Sequence, residues 1–212
     1  MATISERIKS NPKLKKLAHW MIVPKNEARP RLWVKLFVNP FFHRKHKGSI
    51  IRSRTRMDVL PFNKFELGQF SIIEDFSTIN NGVGDVIIGN HTLVGMSNVI
   101  IGPIHIGNNV IIAQNVVMSG LNHGYKDINI PISQQNVTIS KITIDNDSWL
   151  GANVVITAGV TIGKHVVIAA GSVVTKNVPD FSLAAGNPAK IIKIYDDATK
   201  SWVSTKNGDN LR

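Results

Sequence analysis

From Leu67 onward every sixth residue is aliphatic. The series runs Leu67, Ile73, Ile79, slips by three, and continues Ile88, Val94, Ile100, Ile106, Ile112, Met118. After a long break it resumes at Ile144, Leu150, Ile156, Ile162, Ile168, Val174. Ile, Val, Leu and Met make up only about three in ten residues of the chain, so fifteen aliphatic positions in phase are not chance. The next residue is often Gly (68, 89, 95, 107, 151, 163) or Ala (113, 169), as at a corner with no room for a side chain. Four after the rung come small or β-branched residues such as Ser71, Thr92, Val116 and Val166. A period of six fits strands, whose side chains alternate, and not the 3.6-residue helix. One short strand and one corner per hexad wind the chain around a triangular prism, and fifteen hexads predict roughly five turns.

The first 48 residues read differently. Asn11-Pro12 is an N-cap followed by Pro at the first helical position. Leu14, Leu17, Ala18 and Met21 then share one face until Pro24. A second apolar piece, 32–38, lies between Pro30 and Pro40. This helix pair is expected to cover the first rung and turn its charges to water. The expected division is a basic, partly helical cap over 1–56, the β-helix over 57–179 with an inserted loop at 119–143, and an extension over 180–212.

Composition adds three constraints. With 212 residues, 43% hydrophobic and 18% charged, the chain is globular. It has no cysteine, which excludes disulfides and thiolate metal sites. The net charge of +11 is concentrated: residues 1–56 hold 15 of the 25 Lys and Arg against two of the 14 acidic residues, a net +13, leaving −2 for the rest. Such a segment suits an anionic membrane face; no motif accompanies it that would point to nucleic acid. With no membrane-length apolar run and no signal-peptide h-region at the start, the expected location is cytoplasmic, with peripheral contact of the basic segment at the inner face of the membrane.

The hexads resemble the hexapeptide-repeat acyltransferases from about Ile88 to Lys193. The run WLGANVVITAGVTIG from Trp149, then AAGSVVTK from Ala169 and AGNPAK from Ala185, is similar to the CoA-binding half of the maltose/galactoside O-acetyltransferases and their capsule, colanic-acid and lipopolysaccharide relatives. The resemblance implies an all-β, left-handed parallel β-helix with a small helical N-terminal cap and a short C-terminal helix, assembled as a homotrimer with sites between subunits. It also implies an acetyl-CoA-dependent O-acetyltransferase acting on a hydroxyl of a sugar or surface-polysaccharide precursor, with no metal required.

Residue by residue, the resemblance places the catalytic base at His123, just inside the loop that interrupts the hexads. Ala152 and Ala170 match small positions along the pantetheine arm. Thr175 and Lys176 match a pair near the adenosine phosphates, and Lys190 and Lys193 stand where the galactoside enzymes carry arginine. Asn98, Asn122 and Tyr125 are expected on the acceptor side, and Trp149 at the loop exit. The chemistry suits an imidazole, which ordinarily titrates near 6.5 and can take a hydroxyl proton at neutral pH. Asp127 or a backbone oxygen is expected to fix its tautomer. A metal hydrolase on the same prism would need closely spaced histidines, whereas His105 and His123 are 18 apart. An antibiotic acetyltransferase, a nucleotide-sugar N-acetyltransferase and a non-catalytic scaffold remain as alternatives.

Overall fold

The computed structural model describes residues 10–205. Its 23 strands are numbered β1–β23 in chain order, and most lie in three parallel sheets that form the faces of a prism. The first face stacks β1 (Arg44–Lys45), β4 (Phe65–Leu67), β7 (Val86–Ile88), β10 (Ile104–Ile106), β15 (Ile142–Ile144) and β18 (Thr161–Ile162). The second begins with β2 (Ile50–Ile51), β5 (Ile72–Ile73), β8 (Leu93–Val94) and β11 (Ile111–Ile112), and continues with β16 (Trp149–Leu150), β19 (Val167–Ile168) and β21 (Ser182–Gly186). The third holds β3 (Arg56–Asp58), β6 (Thr78–Asn80), β9 (Val99–Ile101), β12 (Val117–Ser119), β17 (Val155–Ile156) and β20 (Val173–Val174). The architecture is the left-handed parallel β-helix of hexapeptide-repeat proteins.

All fifteen rung residues are 2% exposed or less. They stack in register, Leu67 on Ile88 on Ile106 on Ile144 on Ile162 along the first face. At roughly 1.5–3 kcal/mol per buried aliphatic side chain, this column is the main source of cohesion. The corners that follow the first and second faces obey one rule. The residue three past the rung takes the left-handed conformation, as at His91, Asn109, Asn115, Asp147, Asn153 and His165, and Asn, Asp and His tolerate it better than other side chains. The glycine one past the rung is required by closeness: a Cβ on Gly68 would lie 2.3 Å from the backbone of Gly89.

The residue four past the rung is buried, except after Ile79 and Met118, and often bridges turns. Ser71 Oγ donates to Gly89 O at 2.6 Å and accepts from Thr92 N at 2.9 Å. Thr92 Oγ1 repeats this with Gly107 O at 2.8 Å and Val110 N at 3.1 Å. These hydroxyls satisfy corner amides and carbonyls that the short strands cannot pair.

Three expectations are corrected. The solenoid has about six turns, not five, because pairing starts at β1, within the segment assigned to the cap. The first turn escapes the hexad pattern because Lys45 stands in rung register with Leu67 and because ten residues, not six, separate Met57 from Leu67. Second, residues 180–205 contain no helix. Instead β22 (Ala189–Asp196) and β23 (Ser201–Ser204) extend the second face antiparallel from β21, pairing the open edge of the last coil. The Asp196 carboxylate closes their turn, accepting from Ala198 N at 3.0 Å and Thr199 Oγ1 at 2.9 Å, and these bonds hold it below its ordinary pKa.

Third, the cap does not hide its apolar side chains. α1 (Pro12–Ile22) is capped as expected, Asn11 Oδ1 accepting from Lys13 N at 3.0 Å and Leu14 N at 3.3 Å. Yet Leu14, Leu17, Trp20 and Met21 are all exposed. In α2 (Leu32–Phe37) and α3 (Asn39–Phe42) only Val34 and Asn39 are buried. The cap is anchored by few groups, among them Asn39 Nδ2 donating to Val59 O at 2.9 Å.

Candidate active site

Successive turns are normally 18 residues apart, as Ile88 to Ile106; across the break Ile106 pairs with Ile144, 38 residues on. The extra chain leaves the corner between the third and first faces as a hairpin. Its strands are β13 (Leu121–His123) and β14 (Val137–Ile139), paired antiparallel with His123 opposite Val137. Gly120 N donates to Ile101 O and Ser140 N to Gly120 O, both at 2.9 Å, so both strands are fixed to the solenoid at their base. Gly124 lets the strands close: a Cβ there would lie 2.6 Å from Asn136 O.

Beyond the hairpin, Gln135 holds the loop. Its Nε2 donates to Asp127 O at 2.8 Å and Ile130 O at 2.9 Å, and its Oε1 accepts from Asp127 N at 3.3 Å. The result is an open recess of about 820 Å³ lined by Asn122, His123, Tyr125, Lys126, Gln134 and Asn136, among others. The structure thus brings Asn122, His123 and Tyr125 together. Gln135 and Asn136 were missed as site-forming residues, although the polar Ser133-Gln134-Gln135-Asn136 run was visible in the loop.

The His123 imidazole is exposed and has no hydrogen-bond partner among the described residues. Asp127 does not supply one: its Oδ1 accepts from Asn129 N at 2.9 Å in a local turn. Asn98 is also corrected. It is 0% exposed and occupies the buried position four past rung Val94, its Oδ1 accepting from Val116 N at 2.6 Å and its Nδ2 donating to Gly95 O at 2.8 Å. Its amide is spent on corner backbone, so it cannot face an acceptor. Trp149 lies on the outer side of the second face between Ile111 and Val167, not at the loop exit.

The six residues matched to CoA positions divide between two edges of one prism. Ala152 and Ala170 lie one coil apart on the edge between the second and third faces, where Gly171 N donates to Ala152 O at 2.8 Å. Lys190 crowns that edge opposite Ala185, and Lys193 pairs with Leu183 on the second face. Thr175 and Lys176 follow β20 on the other edge, the one that carries the loop. All four Thr and Lys side chains are exposed. Among the described residues there is no cluster of His, Asp or Glu able to hold a metal ion.

This prism with its looped-out histidine defines a class that comparison with known proteins identifies. The family model described as bacterial transferase hexapeptide (six repeats) matches residues 141–176, and that described as hexapeptide repeat of succinyl-transferase matches 85–119. The galactoside O-acetyltransferase of Lactococcus lactis is 30% identical over 156 residues, 72% of this chain and 74% of that protein. The probable acetyltransferase Rv3034c of Mycobacterium tuberculosis is 34% identical over 132 residues, 61% of this chain and 44% of that protein. A solved structure of AntD, an N-acyltransferase from Bacillus cereus in complex with dTDP and 3-hydroxybutyryl-CoA, shares the fold with a TM-score of 0.59 at 20% identity, over 72% of this chain and 86% of that one. The chain belongs to the hexapeptide-repeat acyltransferase family. It spans about half the length of several of the curated relatives it matches.

Proposed function

We propose that the protein transfers an acetyl group from acetyl-CoA to a hydroxyl of a sugar or surface-polysaccharide precursor, with His123 as general base. The observation that carries this reading is the free, exposed imidazole of His123 on a strand pair lining the recess made by the solenoid's one long interruption. An imidazole without an internal partner is available to a hydroxyl proton. As the acceptor oxygen attacks the thioester carbonyl, the new C–O bond forms and His123 takes the proton. Collapse of the tetrahedral intermediate breaks the C–S bond, and the imidazolium returns the proton to the CoA sulfur. No acyl-enzyme is needed.

On this reading Ala152 and Ala170 leave room for the pantetheine arm, while Thr175, Lys176, Lys190 and Lys193 meet the phosphate-bearing end of CoA. Because these groups occupy two edges of one prism, we place each site between copies of a homotrimer. The outer side of the second face supports such packing. Ile50, Ile72, Leu93, Ile111, Trp149 and Val167 form one apolar row in register along its length. The acceptor is a hydroxyl rather than an amine on the strength of the galactoside O-acetyltransferase relatives. Thiol release from acetyl-CoA, measured against a panel of sugars, nucleotide sugars and glycan precursors, tests this. Turnover confined to amino sugars would move the reading to N-acetylation.

A further inference from the structure

A second recess lies at the opposite end of the prism from the last coil. It encloses about 330 Å³ between the segment preceding and including α2 and the corner joining β2 to β3. Arg29 and Lys35 line one side, and Ser53, Arg54, Thr55 and Arg56 the other. Four cations thus surround one small space.

Their counter-charge is incomplete. Arg29 and Arg56 share the single carboxylate of Asp58, at 3.6 Å and 2.8 Å, and the Asp58 side chain is only 2% exposed. Glu27 acts on Arg56 through space. Lys35 and the Arg54 guanidinium form no ion pair among the described residues; Arg54 instead lies over the Phe76 ring at 5.6 Å. Cations held this way, with hydroxyls of Ser53 and Thr55 beside them, form a site for a phosphate group.

The rest of the cap indicates where that phosphate comes from. Trp20, Trp33, Leu36, Phe37, Phe41 and Phe42 of the same cap are between 43% and 86% exposed. A site for free phosphate has no use for exposed aromatic and aliphatic side chains. A bilayer surface uses both: apolar side chains enter the headgroup boundary while cations meet anionic lipid. No described helix is long and apolar enough to cross the membrane, so the contact is one of surface docking.

We propose that the N-terminal cap docks on an anionic phospholipid surface, with one lipid phosphate held in the recess formed by Arg29, Lys35, Arg54 and Arg56. The site is remote in sequence from the hairpin and independent of the acyl-transfer reading.

The test is co-sedimentation of the full chain with vesicles of phosphatidylcholine alone or mixed with phosphatidylglycerol. The protein should partition onto the anionic vesicles and stay in solution with the neutral ones. The pair Lys35→Glu and Arg54→Glu should lower partition about tenfold or more, since each surface cation contributes roughly fivefold. The pair Lys141→Glu and Lys164→Glu, of equal charge change on the solenoid, should alter it less than about threefold. Should the first pair not fold, Lys35→Gln with Arg54→Gln replaces it, with a loss of about fivefold or more. Absence of anionic-vesicle binding, or equal loss in the recess and solenoid pairs, overturns the proposal. So does displacement by inorganic phosphate at the concentration of lipid phosphorus, which would assign the recess to a soluble anion.

Discussion

His123 faces Val137 across the last pair of the β13–β14 hairpin, and the next residue, Gly124, is where the two strands come too close for a side chain. The imidazole's position therefore depends on a backbone approach and not on a hydrogen bond to its ring. Gly124→Val forces the strands apart. Because misplacement of a catalytic group by about 1 Å costs on the order of 10²-fold, turnover should fall by that order. The thermal midpoint should stay near that of the wild type, since the solenoid core is untouched. Steady-state kinetics beside a melting curve checks both.

Asn98 separates a structural role from a substrate role. Asn98→Ala leaves Val116 N without its partner in a fully buried corner, while Gly95 O keeps the Ser77 hydroxyl at 2.9 Å. The expected loss is about 1–3 kcal/mol of stability. KM for the acceptor should be unchanged in the fraction that folds. A raised KM with undiminished stability would return Asn98 to the acceptor side.

The CoA edge can be closed sterically. Ala152→Phe and Ala170→Phe both place bulk outside the rung column, on a corner between faces. Each should weaken CoA binding by about tenfold or more while the circular dichroism spectrum is retained. Lys176→Ala should raise the dissociation constant of CoA by about three- to tenfold, with less effect on a phosphate-free pantetheine thioester, because the lost charge has no partner there. Calorimetric titration with both ligands distinguishes the two effects.

His43 supplies a pH dependence of stability. Both of its ring nitrogens are buried without partners, its ring packs edge-on against Phe65, and burial pushes its pKa below the ordinary imidazole value of 6.5. The unfolded chain therefore binds a proton at His43 before the folded one does, and stability falls as pH drops below 6.5 through the depressed folded value. His43→Leu should reduce the decline in thermal midpoint between pH 7.5 and 5.5. An unchanged decline would mean other groups carry it.

The solenoid was legible because each rung obeys one local rule with the same outcome at every turn. Ile88, Ile106 and Ile144 are equivalent whether or not a loop lies between them. The first turn was not, because a lysine, Lys45, opens it in rung register and a ten-residue step from Met57 to Leu67 puts it out of phase with the later hexads. The C-terminal strands were missed for a related reason: Ile191, Ile192 and Ile194 fit a helix or a strand, and the open edge of β21 decides between them. Within the site, the hexad break marked the loop and the family resemblance pointed to His123 in it, but neither gave the use of Asp127. Its side chain closes its own turn, and only the folded loop shows Gln135 bonded to its backbone. Asn98 failed as an acceptor residue because it stands four past rung Val94, in the buried position that Ser71 and Thr92 fill with their hydroxyls.

On the proposed mechanism His123 removes the acceptor proton and does little for cofactor binding. The direct measurement is acetyl transfer and CoA affinity of His123→Ala beside the wild type, with an acceptor that the wild type uses. Transfer should fall by about 10²- to 10⁴-fold, the range for loss of a general base, while the CoA dissociation constant stays within about twofold. An alanine variant that turns over at the wild-type rate would contradict the account.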